Sequence, residues 1–168
     1  MRSRARLAGH AVHPMLVHFP LGLLGMAVVF DLAGLLVDKP ALASAAYYMI
    51  AAGILSGGAA AIFGIVDWFG IPAGTRARAV ATLHARGNVV VLILFAVSWW
   101  LRRSNPVDPS PPAILLALLG GVLSIVTGWL GGELVSRLAV SVDEGAHLNA
   151  PSSLRQDTIS GRGGAEKS

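Results

Sequence analysis

The chain has 168 residues, of which 54% are hydrophobic and 13% charged, with a mean hydropathy of +0.66 and a net charge of +4. A soluble domain carries about 25% charged residues, so the composition excludes a soluble globular protein, a disordered chain and a coiled coil, and points to a polytopic membrane protein. There is no cysteine, which excludes disulfides, thiolate-held zinc, iron–sulfur clusters and thiol catalysis.

Residues 1–12 form a basic N-terminal segment with Arg2, Arg4 and Arg6. They resemble the start of a signal peptide, but the apolar stretch that follows is long, opens with two histidines and lacks a convincing small-residue cleavage site, so it reads as retained. Four spans are predicted, at about 16–37, 41–68, 83–101 and 111–133, each near the ~20 apolar residues that cross a bilayer. Asp38-Lys39-Pro40 stops the first, because proline cannot continue a helix and the two charges prefer water. Gly70-Ile71-Pro72-Ala73-Gly74 ends the second; Arg102 to Pro106 ends the third. Pro111-Pro112 opens the fourth, where a missing N–H costs nothing. Trp68 and Trp129 on one side, with Trp99 and Trp100 on the other, fit interfacial anchors. Residues 138–168 read as a polar tail, flexible beyond Leu154. The expected architecture is an all-α, four-span transmembrane bundle of two helical hairpins, with residues 13–137 as the membrane domain.

The distribution of Lys and Arg sets the orientation. Ten of the 13 lie in the N-terminus, the middle loop and neighbouring helix start, and the tail; only Lys39, Arg102 and Arg103 lie on the other side. The positive-inside rule places both termini in the cytoplasm of a bacterial inner membrane. The pI near 10.3 is then a topology signal with some attraction to anionic lipid, not a sign of nucleic-acid binding.

The halves echo each other. A shift of 61 residues superposes Trp68 on Trp129 and Gly70 on Gly131, and spans one and three each begin with a histidine, His18 and His84. This predicts a parallel repeat, with both hairpins entering from one side. His13, His18, Asp67, His84, Glu133 and Arg137 then converge near one membrane face, where polar groups turn toward the bundle interior.

His13 and His18 stand five residues apart, roughly 140° around a helix, so they do not share a face. His18 shares a stripe with Gly22, Gly25 and Met26, and His84 with Gly87, Asn88 and Val91. Helices one and three are diagonal in an up-down bundle. The sharp expectation is therefore a b-type haem between His18 and His84, with His13 as a supporting or alternative ligand and Arg76, Arg78 or Arg86 on its propionates. The alternatives are histidines hydrogen-bonded to Asp67, Glu133 or backbone, and a zinc or copper site of His13, His18 and His84 with Asp67. Asp31 is expected to pair with Lys39 or to bond Tyr47 or Tyr48. The run Gly53, Ser56, Gly57, Gly58, Gly64 reads as close helix packing, not as a phosphate loop. Ser56 and Ser124 have no histidine partner at their depth, and no nucleophile–base pair or cofactor motif is visible, so an enzyme is not the expected reading.

The segments HPMLVHFPLGLL, GIVDWFGIPAGTRARAVATLHARGNVVVLILFAVSWWLR and GWLGGELV…VDEGAHLNAPSSL, over about residues 10–154, resemble the DUF2231 family of bacterial membrane proteins. The resemblance implies a four-helix membrane domain, in some members joined to iron–sulfur redox domains, and brings no established activity. It matches His13, His18, His84, Asp67, Gly131, Gly132 and Glu133. Many relatives continue past GGELV with Tyr-Arg-His-Gly, where this chain has Ser136-Arg137-Leu138-Ala139. A fourth histidine is thus missing, and one haem rather than two is the expectation. The leading functional expectation is a haem-binding redox subunit with a redox partner protein. Its competitors are a cofactor-free structural or partner-binding subunit, including a homo-oligomer, and a metal-ion binding or transport protein.

Overall fold

The computed structural model describes residues 1–37 and 39–153. Asp38, expected to help stop the first helix, and the tail beyond Ser153, with Arg155, Arg162 and Lys167, lie outside the described residues. A short hairpin pairs β1 (Arg6–Leu7) with β2 (His10–Ala11), Leu7 opposite His10. Its two-residue turn, Ala8-Gly9, has φ of 48° and 83°, the doubly left-handed geometry that suits the twist of a two-residue hairpin. Five helices follow among the described residues: α1 (Val12–Leu16), α2 (His18–Val37), α3 (Pro40–Trp68), α4 (Arg76–Arg102) and α5 (Pro111–Ser136).

α1 and α2 form one span, Val12–Val37, interrupted at Val17. The break lies three residues before Pro20, which cannot donate to the carbonyl one turn back. The first span therefore starts at Val12, not at about 16, because Pro14 sits in the first turn where no bond is lost. The third starts at Arg76, not 83: the Thr75 hydroxyl accepts from the Arg78 amide at 3.2 Å and caps a polar first turn that hydropathy does not register. α3, with 29 residues, is about 44 Å long and overhangs the ~30 Å hydrocarbon layer.

α2 packs on α3 and α4 on α5; α3 meets α4 and α2 meets α5, which leaves α2 and α4 on a diagonal. The centre is built from Leu24, Ala27, Ala46, Ile50, Val91, Phe95 and Ala117. Small residues let the backbones approach. A Cβ on Gly53 would stand 2.5 Å from Leu24 Cδ2, and one on Gly120 2.8 Å from Phe95 Cε2. No more than 22% of any span's most apolar stretch is buried, and Leu36, Leu55, Val122 and Ile125 face outward. This inside-poor, outside-apolar pattern is that of a bundle solvated by lipid.

The two hairpins are equivalent in their buried positions. In α2 these are Leu24, Ala27 and Asp31; 71 residues on, in α4, they are Phe95, Ser98 and Arg102. In α3, Ala46, Ile50, Gly53 and Ala60 correspond, 67 residues on, to Ala113, Ala117, Gly120 and Thr127 in α5. The parallel repeat is thus present, but not in the register expected from the tryptophans. Trp68 is half-buried and donates to Thr82 Oγ1 at 3.0 Å, whereas Trp129 is outward-facing. Gly64, not Gly70, is the counterpart of Gly131.

One end of the bundle carries both terminal segments and is termed the terminal end; the other carries the α2–α3 and α4–α5 connections and is the loop end. At the terminal end Ile71, Ala81, Leu134 and Val140 form a second apolar cluster. The Met1 amine donates to Ala139 O at 2.9 Å. Arg6 forks onto Asp143 with bonds of 2.6 and 3.0 Å, and Arg2 adds a third at 3.0 Å. The hydrogen bond from Arg6 holds the Asp143 carboxyl below the usual carboxylate range, and Asp143 in turn raises the Arg6 guanidinium.

Candidate functional site

Toward the terminal end, the diagonal is bridged by His13 and His84. Their ring centres are 6.5 Å apart and their planes stand at 88°. His13 Nδ1 lies 2.8 Å from Ala60 O on α3, and His84 Nδ1 lies 2.9 Å from Thr127 O on α5. A carbonyl only accepts, so each Nδ1 carries a proton and donates, and in that tautomer the lone pair is on Nε2. Ala60 and Thr127 are repeat counterparts, and so are the glycines one turn further on. A Cβ on Gly64 would be 3.0 Å from His13 Cε1, and one on Gly131 3.2 Å from His84 Cε1. Each imidazole therefore lies against a bare stretch of the neighbouring helix, tied to it by one backbone carbonyl.

Asn88 completes the layer. Its Nδ2 is 3.4 Å from Nδ1 and 3.2 Å from Nε2 of His84, and donates to His84 O at 2.9 Å. An atom nearly equidistant from both ring nitrogens at that range cannot lie in the ring plane without colliding with Cε1. The amide therefore stands over the ring face. Thr127 Oγ1 donates to Asn88 Oδ1 at 3.1 Å, so Asn88 is held from both sides.

The structure corrects the choice of histidine. His13, not His18, is opposite His84. His18 is exposed, with Nδ1 3.3 Å from Met15 O of its own chain segment. The stripe of His18, Gly22 and Gly25 faces outward: a Cβ on either glycine would meet nothing within 4 Å. The room beside the paired rings comes from the neighbouring helices instead, at Gly64 and Gly131.

The expected polar cluster separates into unlike parts. Asp67 is buried and its Oδ1 accepts from Ser3 Oγ, Arg4 N and Ala5 N at 2.7, 2.8 and 3.2 Å. It secures the N-terminal segment rather than a histidine. Glu133 pairs with Arg76 at 2.6 Å. Arg78 lies over the Trp68 ring at 3.3 Å and donates to the Trp68 and Ile71 carbonyls. Arg86 is exposed, two residues and so about 200° from His84. Arg137 is exposed at the C-cap of α5. No group of three or more His, Cys, Asp or Glu side chains capable of holding a metal occurs among the described residues.

A second diagonal bridge lies toward the loop end. Arg102 donates to both oxygens of Asp31 at 2.6 Å, with both side chains fully buried. Its remaining donors reach Ser98 Oγ at 3.2 Å and Ala113 O at 3.3 Å. Asp31 therefore pairs with Arg102, not with Lys39, Tyr47 or Tyr48. Sequence reading assigned Arg102 to the end of a span, where long side chains reach for water; here the helix holds it inward. The signal that could have found it is the repeat in its true register, which sets Arg102 opposite Asp31.

A family model described as "Predicted membrane protein (DUF2231)" matches residues 9–144, most of the chain. Comparison with curated proteins and with solved structures found no match.

Proposed function

The chain belongs to the DUF2231 family of predicted membrane proteins, and from that premise we propose that it is a redox subunit for one b-type haem, which His13 and His84 would hold. The observation that carries this reading is the pair itself: two imidazoles on diagonal spans, each with Nδ1 donating to a backbone carbonyl and the lone pair on Nε2. The ring centres, 6.5 Å apart, are close enough for one metal to be held by both histidines. Two protein donors do not complete a zinc or copper site. They do suit a metal that arrives with its equatorial donors, and without cysteine the group would be held non-covalently.

A haem supplies a one-electron couple when bound. The chain's own residues orient the ligands. The Ala60 and Thr127 carbonyls fix each tautomer and the orientation of each ring. Gly64 and Gly131 let the rings lie against α3 and α5, and Asn88 limits rotation of His84. The Lys and Arg distribution supports a cytoplasmic location for both termini in an inner membrane, and a redox partner would approach from the terminal end.

A cofactor-free structural subunit is favoured by one observation: α4 and α5 are in contact beside the pair, where a Cβ on Gly87 would stand 2.5 Å from Thr127 Cγ2. Visible spectra of detergent-purified protein, expressed with haem supplied and recorded before and after dithionite, decide between the two. The haem reading expects a Soret band with split α and β bands on reduction, lost in His13→Ala and His84→Ala and kept in His18→Ala. A featureless spectrum at stoichiometric protein, or a haem signal that survives both substitutions, refutes it.

A further inference from the structure

We propose that the loop end holds a site for a phospholipid headgroup that carries both a phosphate and a primary ammonium, the phosphatidylethanolamine class. A cavity of about 410 Å³ opens there between α2, the start of α3 and the start of α5, within the size range of small-ligand sites. Its walls include Phe30, Leu35 and Ile114. Asp31 also lines it, but Arg102 occupies both oxygens of that carboxylate, so this wall presents a neutral pair.

The other charged groups on its lining are Lys39 and Asp108. Both line the cavity and both are exposed, and neither has an ion-pair partner among the described residues. The cavity thus offers one positive and one negative group at an apolar opening. A purely anionic headgroup would satisfy Lys39 but bring its charge toward Asp108; a purely cationic amphiphile would do the reverse. A zwitterion satisfies both. A primary ammonium donates hydrogen bonds to a carboxylate, as a quaternary one cannot, which favours ethanolamine over choline. The occupant is a lipid rather than a free zwitterion because the apolar wall continues outward. Leu35, Leu36 and Leu115 are exposed on the spans that frame the cavity, giving acyl chains a surface on which to lie. This site is independent of the histidine pair.

Native mass spectrometry of the delipidated full chain, resupplied with equimolar phosphatidylethanolamine, phosphatidylglycerol and phosphatidylcholine, tests the proposal. Retention of the ethanolamine lipid should exceed that of either other lipid at least fivefold. Lys39→Gln should abolish the preference. Asp108→Asn should shift it toward phosphatidylglycerol, since only the cationic group remains. Both substitutions are at exposed positions, and helix content by circular dichroism confirms that the variants fold. Equal retention of the three lipids, or a preference unchanged in both variants, overturns the proposal. Competition by free glycerophosphoethanolamine at the same concentration as the lipid overturns the assignment to a membrane lipid.

Discussion

Replacing Arg102 with methionine is expected to cost about 3–5 kcal/mol of stability, the usual penalty for stranding one member of a buried ion pair. Several features place the effect within that range. Both side chains are fully buried, and Arg102 is the only hydrogen-bond partner of the Asp31 carboxylate among the described residues. The other acceptors of Arg102 lose little. Ala113 O still receives the Ser98 hydroxyl at 2.6 Å, and Ser98 keeps that bond. The whole penalty therefore falls on one orphaned carboxylate, and the folded-to-unfolded ratio should drop by two to four orders of magnitude at about 1.4 kcal/mol per tenfold. Adding Asp31→Leu removes the orphan, and the double variant should recover to within about 1 kcal/mol of the parent, since apolar replacement of a buried pair is often neutral or better. Reversible unfolding in mixed micelles, followed by tryptophan fluorescence, gives the double-mutant cycle; Trp99, half-buried and stacked on Tyr47, is a suitable reporter. A loss below about 1 kcal/mol for Arg102→Met, or a double variant as unstable as the single, would refute the account of the pair as mutually required.

Three further outcomes follow from local geometry. Gly120→Ala forces a methyl to within 2.8 Å of the Phe95 ring and should cost about 1–3 kcal/mol, while Gly128→Ala, with nothing within 4 Å, should be neutral or gain up to about 1 kcal/mol; the same unfolding assay compares them. Ala8 holds φ of 48° in the hairpin turn, so Ala8→Asn should slow hydrogen exchange in residues 6–11, and faster exchange would argue against the left-handed turn. Because Asp143 titrates below its ordinary value in the fold, its grip on Arg6 and Arg2 is complete at neutral pH and is lost as pH falls through the depressed value. Limited proteolysis of the N-terminal segment should therefore rise only in strong acid in the parent but already at pH 7 in Asp143→Asn; equal cleavage of the two at neutral pH would contradict the assignment.

The four spans were legible because lipid-facing helices need only length and apolar composition, and these are local properties. Their starts were less so. Arg76 to Thr82 carries two arginines that lower its hydropathy, yet it is helical because Thr75 caps it and Ala81 packs into the terminal cluster. The site was half legible. Spacing alone showed that His13 and His18 point different ways, and the diagonal placement of helices one and three held. The direction each histidine takes depends on which face of its helix meets a neighbour, and outward glycines at 22 and 25 resemble packing glycines in a sequence. The useful signal was remote: Gly64 and Gly131 on partner helices, at a repeat offset that the more conspicuous tryptophans obscured. Asn88, the residue that holds His84 in place, carries no signature beyond being a polar residue one turn away.

Asp31 and Arg102 occupy the same position in the two halves of the repeat, with opposite charge. Two copies of the first hairpin brought together in this geometry would confront aspartate with aspartate, and two copies of the second would confront arginine with arginine. Only the mixed pairing is neutral at depth. The pair therefore acts as a matching code that directs each hairpin, once inserted, to its unlike sister and disfavours self-association through the same face.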